Sequence, residues 1–325
     1  MLLSPNDLDN IKKWQYKVTD NSISTKFYKN FWNLCESYIS PKISPNLISF
    51  TGFFLILSNY IISSIYYNEY PIFVGWYVAL STQIYCHLDA LDGIHARNTK
   101  TSSPLGELVD HICDTIGLIF IILSFCTIFN INDIYIQSYT TLTGMLGFQF
   151  FHIQAYIYKG VEFGKYTGPT ELLSIYSLII IGKTIGLIND FHLNELISVL
   201  IPYIFIMFFC GNTYYVINKF DKYIHIQNLM IFIILYFITL CSILFSNHNI
   251  YYMFNICLNL CVLTCDFILS KMCNKNLSYF LLVIFMVSQI NNIIGICFSI
   301  YHIFKILKVI KNHMNLNLIY HNLKE

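Results

Sequence analysis

Long apolar runs separated by short polar connections fill this chain from residue 47 onward. They fall at about 47–67, 72–88, 106–128, 136–158, 171–187, 194–216, 226–245 and 249–270, each near the length an α-helix needs to cross the hydrocarbon core of a bilayer. The stretch 277–310 is too long for one such helix and short for two, with Gln289, Asn291 and Asn292 near its middle. Residues 1–46 follow another pattern. From Thr25, the positions Phe27, Phe31, Leu34 and Tyr38 recur at helical spacing with Tyr28, Trp32 and Cys35 beside them, while Lys26, Lys29 and Asn30 face elsewhere. That predicts an amphipathic helix lying in a membrane interface. The first residues are too polar for a cleavable signal, so the first membrane helix is expected to act as the insertion signal.

Charge alternates between the connections. With the N-terminal lysines in the cytosol, Arg97 and Lys100, Lys159 and Lys165, Lys219 and Lys222, and Lys271 and Lys275 fall on the same side, and Glu69, Asp133, Asp190 and Glu195 on the other. This positive-inside pattern, with Lys305, Lys308, Lys311 and Lys324 also asking for the cytosol, requires an even number of crossings. The expectation is an all-α polytopic protein of about ten transmembrane helices: a cytosolic segment 1–46 with the interfacial helix, one transmembrane domain over 47–311, and a cytosolic tail 312–325.

Composition agrees with a bilayer solvent. Charged residues make up 11% of the chain, against about 25% in soluble domains, and the mean hydropathy is +0.57. The net charge of +1 gives no field that would favour nucleic acid. The eleven cysteines include no CxxC pair. Cys257, Cys261 and Cys265 share one helix face, which reads as close helix packing rather than a metal site.

One segment, HLDALDGIHARNTKTSSPLGELVDHICDT at 87–115, departs from this composition: five of the eighteen acids lie in it. Asp89 and Asp92 are three residues apart at the end of the second apolar run and share a helix face. Ser103 is placed to cap a following helix that starts with Pro104, on which Glu107, Asp110, His111 and Asp114 form one stripe. A single acid near a span end is ordinarily a solvated helix terminus, and Glu69, Asp133, Asp190 and Asp266 are read so. Five acids on two facing stripes are instead a site. Four carboxylates in one cavity repel unless cations neutralise them. Two divalent ions would do this, and hard oxygen ligands favour Mg²⁺ or Mn²⁺ over Zn²⁺. Gly93 and Gly106 allow close approach of backbone and substrate, and Arg97 and Lys100 offer positive charge to a diphosphate.

Read as D-x-x-D-G-x-x-A-R-x(8)-G-x-x-x-D-x-x-x-D, Asp89 to Asp114 resembles the signature of the CDP-alcohol phosphotransferases at every fixed position. The run SSPLGELVDHICDT is similar to the choline/ethanolamine branch, as are SPNLISFTG (44–52) and FFHIQAY (150–156). His95 and Asn98 depart from residues common in that branch. The resemblance covers roughly the first half of the chain. It implies that Asp89, Asp92, Asp110 and Asp114 hold two metal ions and that Gly93, Arg97, Gly106 and Asn46 meet the CDP-alcohol. It also implies a cytosol-facing site in an endoplasmic reticulum or Golgi membrane and, since such proteins tend to be homodimers, a second copy as partner. The expected reaction is attack of the diacylglycerol hydroxyl on the β-phosphorus of CDP-choline or CDP-ethanolamine, with release of CMP. His111, one turn from the Glu107 carboxylate, is the favoured base. The family at large points to Asp114.

Other classes fit less well. A divalent-cation transporter needs intramembrane carboxylates but not Gly93, Ala96, Arg97 and Gly106 at fixed places. A prenyltransferase uses Asp-rich motifs on well-separated helices. A phosphatidylinositol or phosphatidylglycerol-phosphate synthase would share the signature and differ in acceptor.

Overall fold

The computed structural model describes residues 3–15, 17–166, 168–188, 226–245, 248–316 and part of 200–218. The fold is all-α, with eleven helices among the described residues and two three-residue strands, β1 (Val18–Asp20) and β2 (Val161–Phe163). Proline sets several helix starts. α3 (Pro45–Tyr66), α4 (Pro71–Asn98), α5 (Pro104–Ile128) and α7 (Pro169–Thr184) each begin on Pro, whose missing N–H is no loss in the first turn and whose φ suits it.

The chain divides into two compact units. One holds α2 (Ile23–Ser37), α3, α4, α5 and α7, with α3 packed on both α4 and α5 and α7 on α4. The predicted N-terminal amphipathic helix is α2. Its Trp32 is buried while Phe27, Phe31, Leu34 and Tyr38 are exposed. The polar side of α2 is tied down as well: Glu36 meets the His95 ring at 3.2 Å and accepts from Asn98 at 2.8 Å. The two departures from the branch pattern thus share one carboxylate.

The other unit holds α1 (Pro5–Lys13), α6 (Ile134–Tyr158), α8 (Ile226–Phe245), α9 (Ile250–Cys273), α10 (Phe280–Ile290) and α11 (Asn292–Met314). Its axis is α9, buried almost end to end, with its polar Asn255, Asn259 and Asp266 hydrogen-bonded inside the protein. Cys257, Cys261 and Cys265 are buried free thiols there. Asp266, expected to be solvated, is 2% exposed and accepts the Ser278 amide at 2.8 Å.

The expectation of about ten transmembrane helices is overturned. Among the described residues, four helices are long and apolar enough to cross a membrane: α3, α5, α9 and α11. Polar groups dilute others below that requirement. Gln83 and His87 lie in the apolar part of α4, and Gln137, Gln149, His152 and Gln154 lie in α6. Such groups find partners inside the protein, as when Gln149 donates to the Leu260 carbonyl at 2.7 Å and to Thr264 at 2.6 Å. α7 has 16 residues and is too short. The run at 194–216 falls largely outside the described residues.

The ambiguous stretch 277–310 resolves into α10, eleven residues long, and α11. Asn291 makes the break. Its backbone is extended, and its side chain accepts the amides of Ile293 and Ile294 at 2.9 and 3.2 Å, an N-cap for α11. Asn255 of α9 donates to the Ser288 carbonyl at 2.9 Å and to Asn292 at 3.1 Å, and Ser299 donates to Asn259 at 3.0 Å. Gly295 admits this network: a Cβ there would collide with the Asn255 amide oxygen and lie 2.8 Å from Ser288 Cα and Cβ. A mid-helix Gly→Ala change ordinarily gains about 1 kcal/mol. Gly295→Ala is expected instead to lose ~1–3 kcal/mol by overpacking, read as a lower Tm of the purified protein in lipid nanodiscs. An unchanged or raised Tm would remove the packing role from Gly295.

Candidate active site

Two helix ends and a short link build the site. α4 closes with Thr101 and Ser102 amides on the Ala96 carbonyl at 2.8 and 3.2 Å, and Lys100 adopts the left-handed conformation at φ 58°. Ser103 then caps α5, accepting the Gly106 amide at 3.0 Å, as its position before Pro104 predicts. The reversal is tight, so the acids near the end of α4 and those at the start of α5 lie together.

Asp89, Asp110 and Asp114 each offer one carboxylate oxygen within 4.8 Å of the other two. Asp92, the fourth expected ligand, is not in that group. It is buried and accepts a hydrogen bond from Ser49 Oγ of α3. Asp114 accepts from Tyr85 Oη at 2.6 Å. Carboxylates so close repel one another unless a cation lies among them. Hard anionic oxygens at this spread suit a divalent ion such as Mg²⁺ or Mn²⁺, so the residues present fit a divalent-cation site.

The other expected residues divide into two groups. Asn46, at the start of α3, is buried against Gly106: a Cβ on that glycine would lie 3.4 Å from Asn46 Oδ1. Arg97 is exposed, and its guanidinium lies over Gly93, where a Cβ would sit 3.3 Å from Nη1. Lys100 is exposed on the link. His111 Nδ1 is 2.8 Å from the Glu107 main-chain carbonyl and 3.7 Å from Asp110 Oδ2. A carbonyl can only accept, so Nδ1 carries a proton, and in the neutral ring Nε2 holds the lone pair. The Glu107 backbone thus holds the ring through Nδ1.

Tyr85, Ser49 and Gly52 were not read from sequence. Tyr85 is one helical turn before Asp89, on the same face, and Ser49 and Gly52 lie within SPNLISFTG, so signals existed for all three. Gly52 makes room for the tyrosine: a Cβ there would approach Tyr85 Cδ2 to 3.0 Å. Tyr85→Phe removes one hydroxyl and keeps the ring. Losing a hydrogen bond to a metal ligand typically costs about 10–100-fold in metal affinity, and a loss of that size is expected in Mn²⁺ titrations followed by electron paramagnetic resonance. Unchanged affinity would detach Tyr85 from the site.

The segment that holds the carboxylate cluster lies within a stretch similar to known proteins. Residues 42–234 match the family model described as CDP-alcohol phosphatidyltransferase. A Dictyostelium discoideum protein named as uncharacterized CDP-alcohol phosphatidyltransferase class-I family protein 2 is 30% identical over 182 residues, 54% of this chain and 44% of its own. Cholinephosphotransferase 1 of Gallus gallus is 29% identical over 190 residues, 57% of this chain and 56% of its own. Ethanolaminephosphotransferase 1 of Homo sapiens is 30% identical over 138 residues, 39% of this chain and 35% of its own. The chain spans about half the length of the curated relatives it matches.

Proposed function

We propose a reaction from the premise that this chain belongs to the CDP-alcohol phosphatidyltransferase family: transfer of phosphocholine or phosphoethanolamine from the CDP-alcohol to diacylglycerol, releasing CMP. The observation that carries the reading is the convergence of Asp89, Asp110 and Asp114 inside the family-matched segment. Similarity to a cholinephosphotransferase and an ethanolaminephosphotransferase supports the choice of head group.

In this reading the primary hydroxyl of diacylglycerol attacks the β-phosphorus, a new O–P bond forms, and the bond to the oxygen shared with the α-phosphate breaks. CMP leaves with that oxygen. Asp89, Asp110 and Asp114, with Asp92 beside them, would hold Mg²⁺ or Mn²⁺, which when bound neutralises and polarises the diphosphate. The exposed Arg97 guanidinium adds donors for the same oxygens. Gly93 and Gly106 keep the walls low where the nucleotide approaches, and Asn46 Oδ1 stands beside Gly106. The hydroxyl proton passes to His111 Nε2, whose lone pair is fixed by the Nδ1 contact to Glu107. Asp114 already accepts from Tyr85, which suits a ligand better than a base. The endoplasmic reticulum or Golgi membrane, a cytosol-facing site and a homodimer follow from the same resemblance and belong to this proposal.

A radiolabel assay on the purified chain in lipid tests it. CDP-choline and CDP-ethanolamine are offered in parallel with diacylglycerol and Mg²⁺ or Mn²⁺. The expected result is metal-dependent formation of labelled phospholipid and of CMP. No transfer from either donor would retire diacylglycerol as acceptor.

A further inference from the structure

The unit without the carboxylate cluster contains a cavity of about 720 Å³. It lies between the connection from α9 to α10, the start of α10 and the middle of α11. Its size is within the ~300–1,000 Å³ of ordinary ligand sites. Phe280, Phe298 and Tyr301 make an aromatic wall, and no carboxylate lines it among the described residues. Lys275 and Lys305 are its charged lining groups.

The charges around it do not cancel. Lys275 is matched by Asp7 at 2.6 Å, whose carboxyl, despite burial, is held below its ordinary range by Lys275 and Ser4. Lys271, 3% exposed, lies over the Trp14 ring, and Asp266 is buried against the Ser278 amide. Lys305 has no carboxylate partner among the described residues. Its ammonium stands 5.9 Å from the Tyr301 ring centre and is exposed. Among the described residues, three lysines therefore outnumber Asp7 and Asp266, and Lys305 lines the cavity itself. Ser278 Oγ accepts the Phe280 amide at 3.2 Å, which leaves its hydrogen for an incoming oxygen.

The wall chooses between a soluble anion and an amphiphile. It is built on α11, a helix of membrane length, where Tyr301 and Phe304 are 60% and 67% exposed. Acyl chains can run along that face while a phosphate meets Lys305, the arrangement expected of basic pockets that hold anionic headgroups. We propose that this cavity, in the unit that does not contain the carboxylate cluster, binds the phosphate headgroup of an anionic glycerophospholipid.

The test is photolabelling of the full chain in phosphatidylcholine nanodiscs, with a diazirine-bearing phosphatidic acid and a phosphatidylcholine probe of the same acyl chains. Phosphatidic acid is expected to label residues 276–305 about fivefold more than phosphatidylcholine, roughly one lysine's worth of attraction. Lys305→Gln should abolish that preference and Lys305→Arg keep it. Unlabelled phosphatidic acid should compete and inorganic phosphate should not. Labelling should persist in Asp110→Asn, since nothing in it depends on transfer. Equal labelling by the two probes, indifference to Lys305→Gln, or equal competition by inorganic phosphate would each overturn the proposal.

Discussion

Asp110→Asn is expected to lower phospho-alcohol transfer at least about a thousandfold, the consequence of losing ~4 kcal/mol of charge stabilisation at a metal-assisted phosphoryl displacement. The substitution keeps the shape of the side chain and removes one negative charge from the three-carboxylate group. Asp89 and Asp114 then hold a divalent ion with one fewer anionic oxygen, so the Mn²⁺ concentration for half-maximal rate should rise as the maximal rate falls. Folding should survive, because removing a charge from a crowded anionic cluster relieves repulsion. Initial rates across a Mn²⁺ titration, with circular dichroism and Tm on the same preparation, give the result. A folded variant retaining more than about a tenth of the wild-type rate would be incompatible with an effect of several kcal/mol, and the carboxylate group would cease to be the centre of the reaction.

Much of this site was legible because helical spacing is short-range. Ser103 before Pro104, the stripe from Glu107 to Asp114 and the pair Asp89 and Asp92 all follow from 3.6 residues per turn, and the structure places these acids near one another. What spacing does not contain is the third helix. Ser49 reaches Asp92, and Gly52 receives Tyr85, from α3, some forty residues earlier in the chain. Such contacts depend on how α3 packs on α4, which periodicity within one helix cannot specify. The contact of His111 Nδ1 with the Glu107 main-chain carbonyl is also beyond what the stripe states: the turn that brings the carboxylate toward His111 brings the carbonyl within reach as well.

The membrane count failed for another reason. Hydropathy windows score every apolar run alike. They do not register that Gln83 donates to the Leu173 carbonyl, Gln149 to the Leu260 carbonyl and Asn255 to the Ser288 carbonyl, or that Asn291 turns one long run into a short helix and a long one. Even α9, long and apolar enough to cross a membrane, is buried almost end to end by the protein itself.

His111→Ala is the second large effect, and it discriminates the base from the metal ligands. A positioned general base contributes about 10²–10⁴-fold, so kcat should fall by at least ~100-fold. The Mn²⁺ requirement should stay close to wild type, because the ring contributes no oxygen to the carboxylate group. The pH profile adds a signature that a merely structural role would not give. A general base gives the rate an acid limb; if His111 is that base, the limb should flatten in His111→Ala, the residual rate then depending on hydroxide or water. Asp114→Asn should behave in the opposite way, with a shifted Mn²⁺ requirement. The Tyr85 contact supports that division, since a carboxylate oxygen already accepting a phenolic hydrogen at 2.6 Å is less available to take the proton of the attacking hydroxyl. If His111→Ala keeps turnover within a few-fold of wild type while Asp114→Asn loses the acid limb, the proton goes to Asp114. His111 would then serve only to extend the polar stripe of α5.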